Sequence, residues 1–298
     1  MDSEKVHFCN ACYHELTQIC ESPYTQCSEC LSYSLISTSS ADKENKNYFN
    51  EQFKNHSLNN SKLRNLIYRI ISRIDFKLHN QSEIDCEAYF KNAKSICEIG
   101  FGAGDHLNKR LNQGFNIHGV DLSTTAVKNF QSNYPEFKDS VSENSKIPDN
   151  TDLVYSDALL EHIESPKTFL EEIYKKTNHS GIIIMRFPMI ANHIQDSSEH
   201  NDINFWKPCH RTILSETGIK KLLGLANFTI VKSNTINTFA YRVLNIFLEK
   251  GYRNTHIHRN TNATSIDHPN FIAYLNILFR AMLKKSRSIE TTVIAKKN

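Results

Sequence analysis

The stretch Ser95–Asp105, SICEIGFGAGD, decides the fold. It sets a short β-branched apolar run, with Glu98 inside it, directly before glycines at Gly100, Gly102 and Gly104. A G-x-G-x-G triplet is common by chance; the residues after Gly104 give this one meaning. Asp105–Gln113 reads as a helix ending at Gly114, and Phe115–Val120 as a second strand with Asp121 at its C-terminal end. Ser123 then caps a helix running to about Tyr134. Strand, glycine loop, helix and strand make a βαβ unit, right-handed by rule, whose ligand site lies outside the carboxyl ends of the strands. Asp121 follows Gly104 by 17 residues, close to the interval at which an acidic residue accepts from ribose hydroxyls. A nicotinamide dinucleotide would favour a third glycine one position later. That position is Asp105, whose carboxylate repels a pyrophosphate. A cofactor with a ribose and no phosphate is expected.

Further along, Asp152–Tyr155 reads as a strand, Pro166–Thr177 as a helix, and SGIIIMRFP (Ser180–Pro188) as the fifth strand. Ser215–Leu225 reads as a helix, Asn227–Ser233 as the sixth strand and Thr291–Ala295 as a seventh, antiparallel one. With CEIGFGAG, GVDLS and ENSKIPDNTDLVYSDALLEHI in this order, the chain resembles the class I S-adenosylmethionine-dependent methyltransferases from Lys94 to Lys232 and in the last strand. The resemblance implies an α/β, Rossmann-like, seven-stranded sheet. It implies that Gly100, Phe101, Gly102 and Gly104 wrap the methionine part of S-adenosylmethionine and that Glu98 helps hold its ammonium. Asp121, with Leu122 beside it, would hold the ribose. Glu143 and Asn144 would lie near the adenine, and Asp157 and Ala158 on the methionine side. An NAD-binding or non-enzymatic Rossmann domain is the alternative.

The N-terminal segment carries Cys9-x-x-Cys12 and Cys27-x-x-Cys30. Two such pairs can turn four thiolates toward one point and complete a tetrahedral zinc site. A zinc ribbon with a short hairpin between the pairs is expected, its folding driven by a structural Zn²⁺; it would serve as a cap, a substrate lobe or a dimer contact. Cys86, Cys97 and Cys209 read as small packing residues. The expected organisation is a ribbon-like head over residues 1–36, a linker and helices over 37–93, the core over 94–234, a helical insertion over 235–287 and the final strand over 288–298.

Composition narrows the classes. Thirty-five Lys and Arg against 32 Asp and Glu is too even a balance for a whole-chain nucleic-acid footprint. The N-terminus lacks a basic start and an apolar run, and no stretch is apolar for the roughly 20 residues a bilayer span needs. A cytoplasmic protein is expected. Leu63, Leu66, Ile67, Ile70, Ile71 and Ile74 fall at helical spacing and predict a helix whose apolar face packs on the main domain, in preference to a membrane-surface helix, with basic residues on the other face. Tyr241–Leu248 and Phe271–Leu283 predict amphipathic helices within the insertion.

The acceptor side is read from what is missing as well as what is present. N-P-P-[YFW] is absent after the fourth strand, where Ser156-Asp157-Ala158-Leu159 stands. That counts against adenine-N6 or amide methylation and favours an oxygen or carbon of a small molecule. The Glu-x-x-Glu-His metal pattern of ubiquinone-type O-methyltransferases has Ala158 at its first position, which counts against a metal there. His162 is the first candidate base; His210 and His200, in a segment read as a polar loop over the active site, are further candidates. The arrangement resembles enzymes of cell-surface glycan biosynthesis. The expected partner is a small-molecule or sugar acceptor, with a homodimer also considered. A zinc-ribbon RNA methyltransferase and a non-catalytic S-adenosylmethionine-binding module are the alternatives.

Overall fold

The computed structural model describes residues 7–16, 24–36, 50, 62–78, 83–143, 147–190, 203–206, 209–237, 239–249, 270–283 and 288–298. The strands in chain order are β1 (Tyr24–Gln26), β2 (Tyr33–Leu35), β3 (Ile96–Ile99), β4 (Ile117–Asp121) and β5 (Val141–Glu143). They continue with β6 (Thr151–Asp157), β7 (Thr177–Ile190), β8 (Thr212–Ser215), β9 (Phe228–Ile236) and β10 (Ser288–Lys297). The helices that matter for the site are α1 (Lys62–Leu78), α2 (Glu87–Asn92), α3 (Asp105–Asn112), α4 (Thr124–Asn133) and α5 (Pro166–Lys176). They are followed by α6 (Ile203–Trp206), α7 (Glu216–Leu225), α8 (Phe239–Glu249) and α9 (Phe271–Leu283).

The expected seven strands lie side by side as β5-β4-β3-β6-β7-β10-β9. The first five run parallel, and β10 is antiparallel to both β7 and β9. All four residues of β3 are buried, as a strand covered on both faces requires. Successive residues of β7 feed opposite layers: Ile183 and Met185 join the cluster with Leu170 and Leu222, while Ile184 joins the one with Phe90 and Phe130.

Among the described residues, three further strands correct the count from seven to ten. β7 runs past the end of β6, and its free edge at Met189–Ile190 pairs in parallel with Leu214–Ser215 of β8. β2 pairs antiparallel with β8, and β1 with β2, so the N-terminal segment continues the main sheet. The expected polar loop before α7 is corrected at its C-terminal end. Residues 191–202 lie outside the described residues, but Cys209, His210 and Arg211 are buried and β8 comes at once after them. The hairpin also differs from expectation. Its two strands flank the second cysteine pair, because the Cys27–Cys30 knuckle itself makes the turn.

The helices outside the sheet form their own cluster. Ile67, Tyr68 and Ile71 of α1 pack on Phe239, Val243 and Phe247 of α8 and on Ile277, Leu278 and Ala281 of α9. Asp75 is buried in an ion pair with Arg242. The expected packing on the main domain is thus replaced by packing on α8 and α9, and only part of the apolar face takes part: Leu63, Leu66, Ile70 and Ile74 are exposed. The helix carries apolar residues on two sides, and the partner helices cover one.

Candidate functional site

At the carboxyl ends of β3 and β4 the glycine loop is tightly coiled. Gly100, Gly102 and Gly104 have φ of 73°, 56° and 81°, a region that L side chains avoid. At Gly104 a Cβ would also lie 2.3 Å from the Phe130 ring. Phe101 is buried edge-on against the same ring. Asp121 closes the loop from β4: Gly102 N donates to its Oδ2 (2.9 Å) and Ser123 N to its Oδ1 (2.8 Å). A carboxylate offers about four acceptor sites, so each oxygen keeps capacity for one further hydroxyl. Burial raises the Asp121 pKa, and the Ser123 and Gly102 amides oppose the rise. Ser123 caps α4 through Ala126 N, as expected, and donates to Asn50 Oδ1 (2.7 Å). Leu122 is exposed. Glu143 is exposed at the end of β5, in register with Asp121. Asn144 lies outside the described residues.

Glu98 is buried on β3, and its pKa is raised first by that burial. His106 offsets part of the rise. Arg110 Nε donates to His106 Nε2 (3.2 Å), so the ring proton sits on Nδ1 and is donated to Glu98 Oε2 (2.8 Å). The imidazole stacks on Tyr155 at 4.5 Å between centroids. Arg110 in turn grips Glu87 of α2 through both terminal nitrogens, at 2.9 and 2.8 Å. Sequence reasoning misses this Glu98–His106–Arg110–Glu87 relay. Its only signal in the sequence is the i, i+4 spacing of His106 and Arg110 on the helix after the loop. Beyond it, Asp157 ends β6 with its pKa raised by burial and lowered in turn by Arg186, and Arg186 pairs closely with Glu290 of β10. Ala158 has φ of +50°, turning the chain so that Leu159 comes to rest over Gly100.

On the other side of β6, Leu160–His162 forms one 3₁₀ turn. His162 Nδ1 lies 3.0 Å from the Cys209 carbonyl and its Nε2 3.7 Å from Glu161 Oε1. The His162 and His210 rings meet edge to face at 4.9 Å. Glu161, His162 and His210 thus bring three donor atoms within 4.8 Å of one another, all buried. His200 lies outside the described residues. Tyr24 of β1 donates its hydroxyl to the His210 carbonyl (2.9 Å), so the N-terminal segment helps place the pair.

The four cysteines form two matching knuckles. Tyr13 N donates to the Cys9 carbonyl and Leu31 N to the Cys27 carbonyl, both at 2.9 Å. Tyr13 and Leu31, the residues after each second cysteine, have φ of 61° and 62°. Cys9 and Cys30 sulfurs are 3.5 Å apart, as are Cys12 and Cys27. A tetrahedral site with Zn–S of about 2.3 Å sets sulfurs about 3.8 Å apart, so the cluster fits a zinc ion with little adjustment. The Cys9–Cys30 hydrogen bond pushes the Cys30 thiol pKa down. The ribbon is tied to the core through Asn10 Nδ2 to Thr212 Oγ1 (3.0 Å) and Ser215 N to Ser32 Oγ (3.0 Å).

A family model described as a methyltransferase domain matches residues 63–233, more than half of the chain. No curated protein matches the sequence. Among solved structures, the chain is similar to geranyl diphosphate C-methyltransferase from Streptomyces coelicolor A3(2), solved with Mg²⁺, geranyl diphosphate and S-adenosyl-L-homocysteine. Identity is 10%, coverage 88% of this chain and 100% of that one, and the TM-score 0.56. It is also similar to a Galdieria sulphuraria protein proposed as a sarcosine dimethylglycine methyltransferase, with 12% identity, 87% and 98% coverage and a TM-score of 0.50. With the glycine loop, the β4 aspartate and the β5-β4-β3-β6-β7-β10-β9 strand order in place, the chain belongs to the methyltransferase-domain family, among the class I S-adenosylmethionine-dependent methyltransferases.

Proposed function

We propose that the protein transfers a methyl group from S-adenosylmethionine to an oxygen, or a carbon, of a small acceptor, and that the acceptor is a sugar or glycan precursor of cell-surface polysaccharide. The observation that carries the cofactor assignment is Asp121, buried at the end of β4 and bound to the amide of Gly102. Its remaining acceptor capacity suits the paired ribose hydroxyls, with Leu122, Glu143 and Asn144 on the adenine side. The coiled Gly100–Gly104 backbone, with Phe101, admits the methionine part closely. Glu98, hydrogen-bonded by His106, receives the ammonium, with Asp157 and Ala158 beside it. When bound, the cofactor supplies a methyl group on a sulfonium, open to in-line displacement by a nucleophile.

The chain's own residues must align that nucleophile and take its proton. His162 is the proposed base. Its Nδ1 is engaged by the Cys209 carbonyl, and Nε2, beside Glu161, is the nitrogen that takes the proton. His210 positions it from the side, and His200 is kept as a further base. Asp157, Arg186 and Glu290, at the carboxyl end of β6 and its neighbours, give a hydroxyl-rich acceptor charged hydrogen-bond partners. A zinc ion held by Cys9, Cys12, Cys27 and Cys30 would be structural. Paired C-x-x-C knuckles that suit a metal through reduced thiols support a reducing, cytoplasmic setting.

The test is transfer of labelled methyl from S-adenosylmethionine to nucleotide sugars and free sugars, with RNA as the competing substrate. Labelled sugar is expected. His162→Ala should lower turnover by roughly a hundredfold or more with cofactor affinity unchanged. Label appearing only in RNA would refute the acceptor assignment, and full turnover in His162→Ala would remove the base.

A further inference from the structure

We propose that the helical cap formed by α1, α8 and α9 is a docking surface for an anionic lipid bilayer. The inference goes beyond the methyl-transfer reading and does not rest on it.

Two apolar stripes on helices that pack together carry the proposal. On α1, Leu63, Leu66, Ile70 and Ile74 repeat at three, four and four residues and are 46 to 57% exposed. On α9, Ile272, Leu275, Phe279 and Leu283 repeat at the same spacing and are 39 to 79% exposed. Neither helix lacks a core. Ile67 and Ile71 face inward on α1, as do Ile277, Leu278 and Ala281 on α9. The exposed stripes are thus a second apolar side that folding does not use. Aliphatic side chains at regular helical spacing in water mark an interaction site.

Charge selects the occupant. The three helices, Lys62–Leu78, Phe239–Glu249 and Phe271–Leu283, hold seven Lys and Arg against two acidic residues, whereas the whole chain holds 35 against 32. The rest of the protein is therefore net acidic, and the positive charge is gathered on the segments that bear the stripes. Arg69, Arg73 and Lys77 of α1 and Arg280 of α9 are exposed. Asp75, the one acid of α1, is buried against Arg242 and offers no surface charge. Apolar stripes fringed by Lys and Arg suit the boundary of a bilayer with anionic headgroups. A second copy of the cap would bring the like charges of Arg69, Arg73, Lys77 and Arg280 together, and a nucleic acid has no use for aliphatic stripes. No helix among the described residues is long and apolar enough to cross a membrane, so the surface would lie on the bilayer. The cap rises from the ligand end of the sheet: α8 comes directly after β9, and Ser288, just after α9, pairs with Ile190 at the carboxyl end of β7. Docking brings that end of the sheet to the lipid surface.

The experiment is flotation of the full chain with phosphatidylcholine vesicles, with and without phosphatidylglycerol. Binding is expected only with phosphatidylglycerol, and it should weaken as salt is raised. Combined Leu66→Ser, Ile70→Ser and Ile74→Ser should weaken it by roughly a hundredfold. Combined Arg69→Glu and Arg73→Glu should weaken it by roughly tenfold and, being fully on the surface, keeps the test valid if the apolar variant misfolds. Circular dichroism and S-adenosylmethionine affinity should not change in the charge variant. Absence of binding to phosphatidylglycerol vesicles would overturn the proposal. So would unchanged binding in both variants, self-association abolished by the serine variant without vesicle binding, or a salt-sensitive RNA complex in place of a vesicle complex.

Discussion

The glycine-loop side of the sheet is made by one contiguous stretch: Glu98, the three glycines, His106, Asp121 and Glu143 all lie between β3 and β5. The ribbon side is assembled from three segments far apart in the chain. Tyr24 meets the His210 carbonyl across 186 positions, and Ser215 meets Ser32 across 183. The first region needs only local turns and two successive βαβ crossovers to place its groups. The second needs the ribbon, the 3₁₀ turn after β6 and β8 to be in place together. The cofactor cradle should therefore tolerate damage to the ribbon side better than the histidine pair does.

The largest expected effect exploits that asymmetry. Structural zinc in small domains contributes on the order of 10 kcal/mol of folding free energy. Removing it with a chelator, or replacing Cys30 with Ala, should melt the ribbon and β8 in a separate low-temperature step while S-adenosylmethionine still binds. Scanning calorimetry alongside zinc analysis would show this. A single transition untouched by chelation would break the comparison by showing that the ribbon needs no metal.

A smaller effect separates the two sides by pH. Burial raises the pKa of Glu98, Asp121 and Asp157 from their ordinary carboxylate values. A carboxyl whose folded pKa exceeds its unfolded one contributes stability below the unfolded pKa and loses it as pH rises through the folded value. Acidification into that window should stabilise the cofactor-free cradle while weakening S-adenosylmethionine binding, because Asp121 and Glu98 must be ionised to accept. Affinity that holds down to the ordinary carboxylate range would show that these groups are not the acceptors.

The same division explains what is legible in the sequence. The glycine triplet, Asp121, the Ser123 cap and the two cysteine pairs are local patterns, and each lies where its spacing indicates. His106 and Arg110 stand four residues apart in plain view, but their meaning depends on Glu98 behind the ring and Tyr155 beneath it. β8 is not legible. Thr212–Ser215 is four residues long and becomes a strand only because β7 overruns β6 and offers an edge. Likewise, the apolar residues of α1 predict an amphipathic helix, but whether Ile67 or Ile70 faces inward is settled by α8 and α9. The sequence singles out His162 and His210 separately; that they touch, beside Glu161, is the work of β8 and the ribbon.

The central claim is that the loop from Glu98 to Asp121 holds S-adenosylmethionine. Calorimetric titration of the zinc-loaded full-length protein with S-adenosylmethionine tests it most directly, run in parallel with Asp121→Ala. The account predicts saturable one-to-one binding, weakened by roughly a hundredfold in the variant through loss of two charge-assisted hydrogen bonds. No heat of binding to the intact protein, or equal affinity in Asp121→Ala, would contradict it.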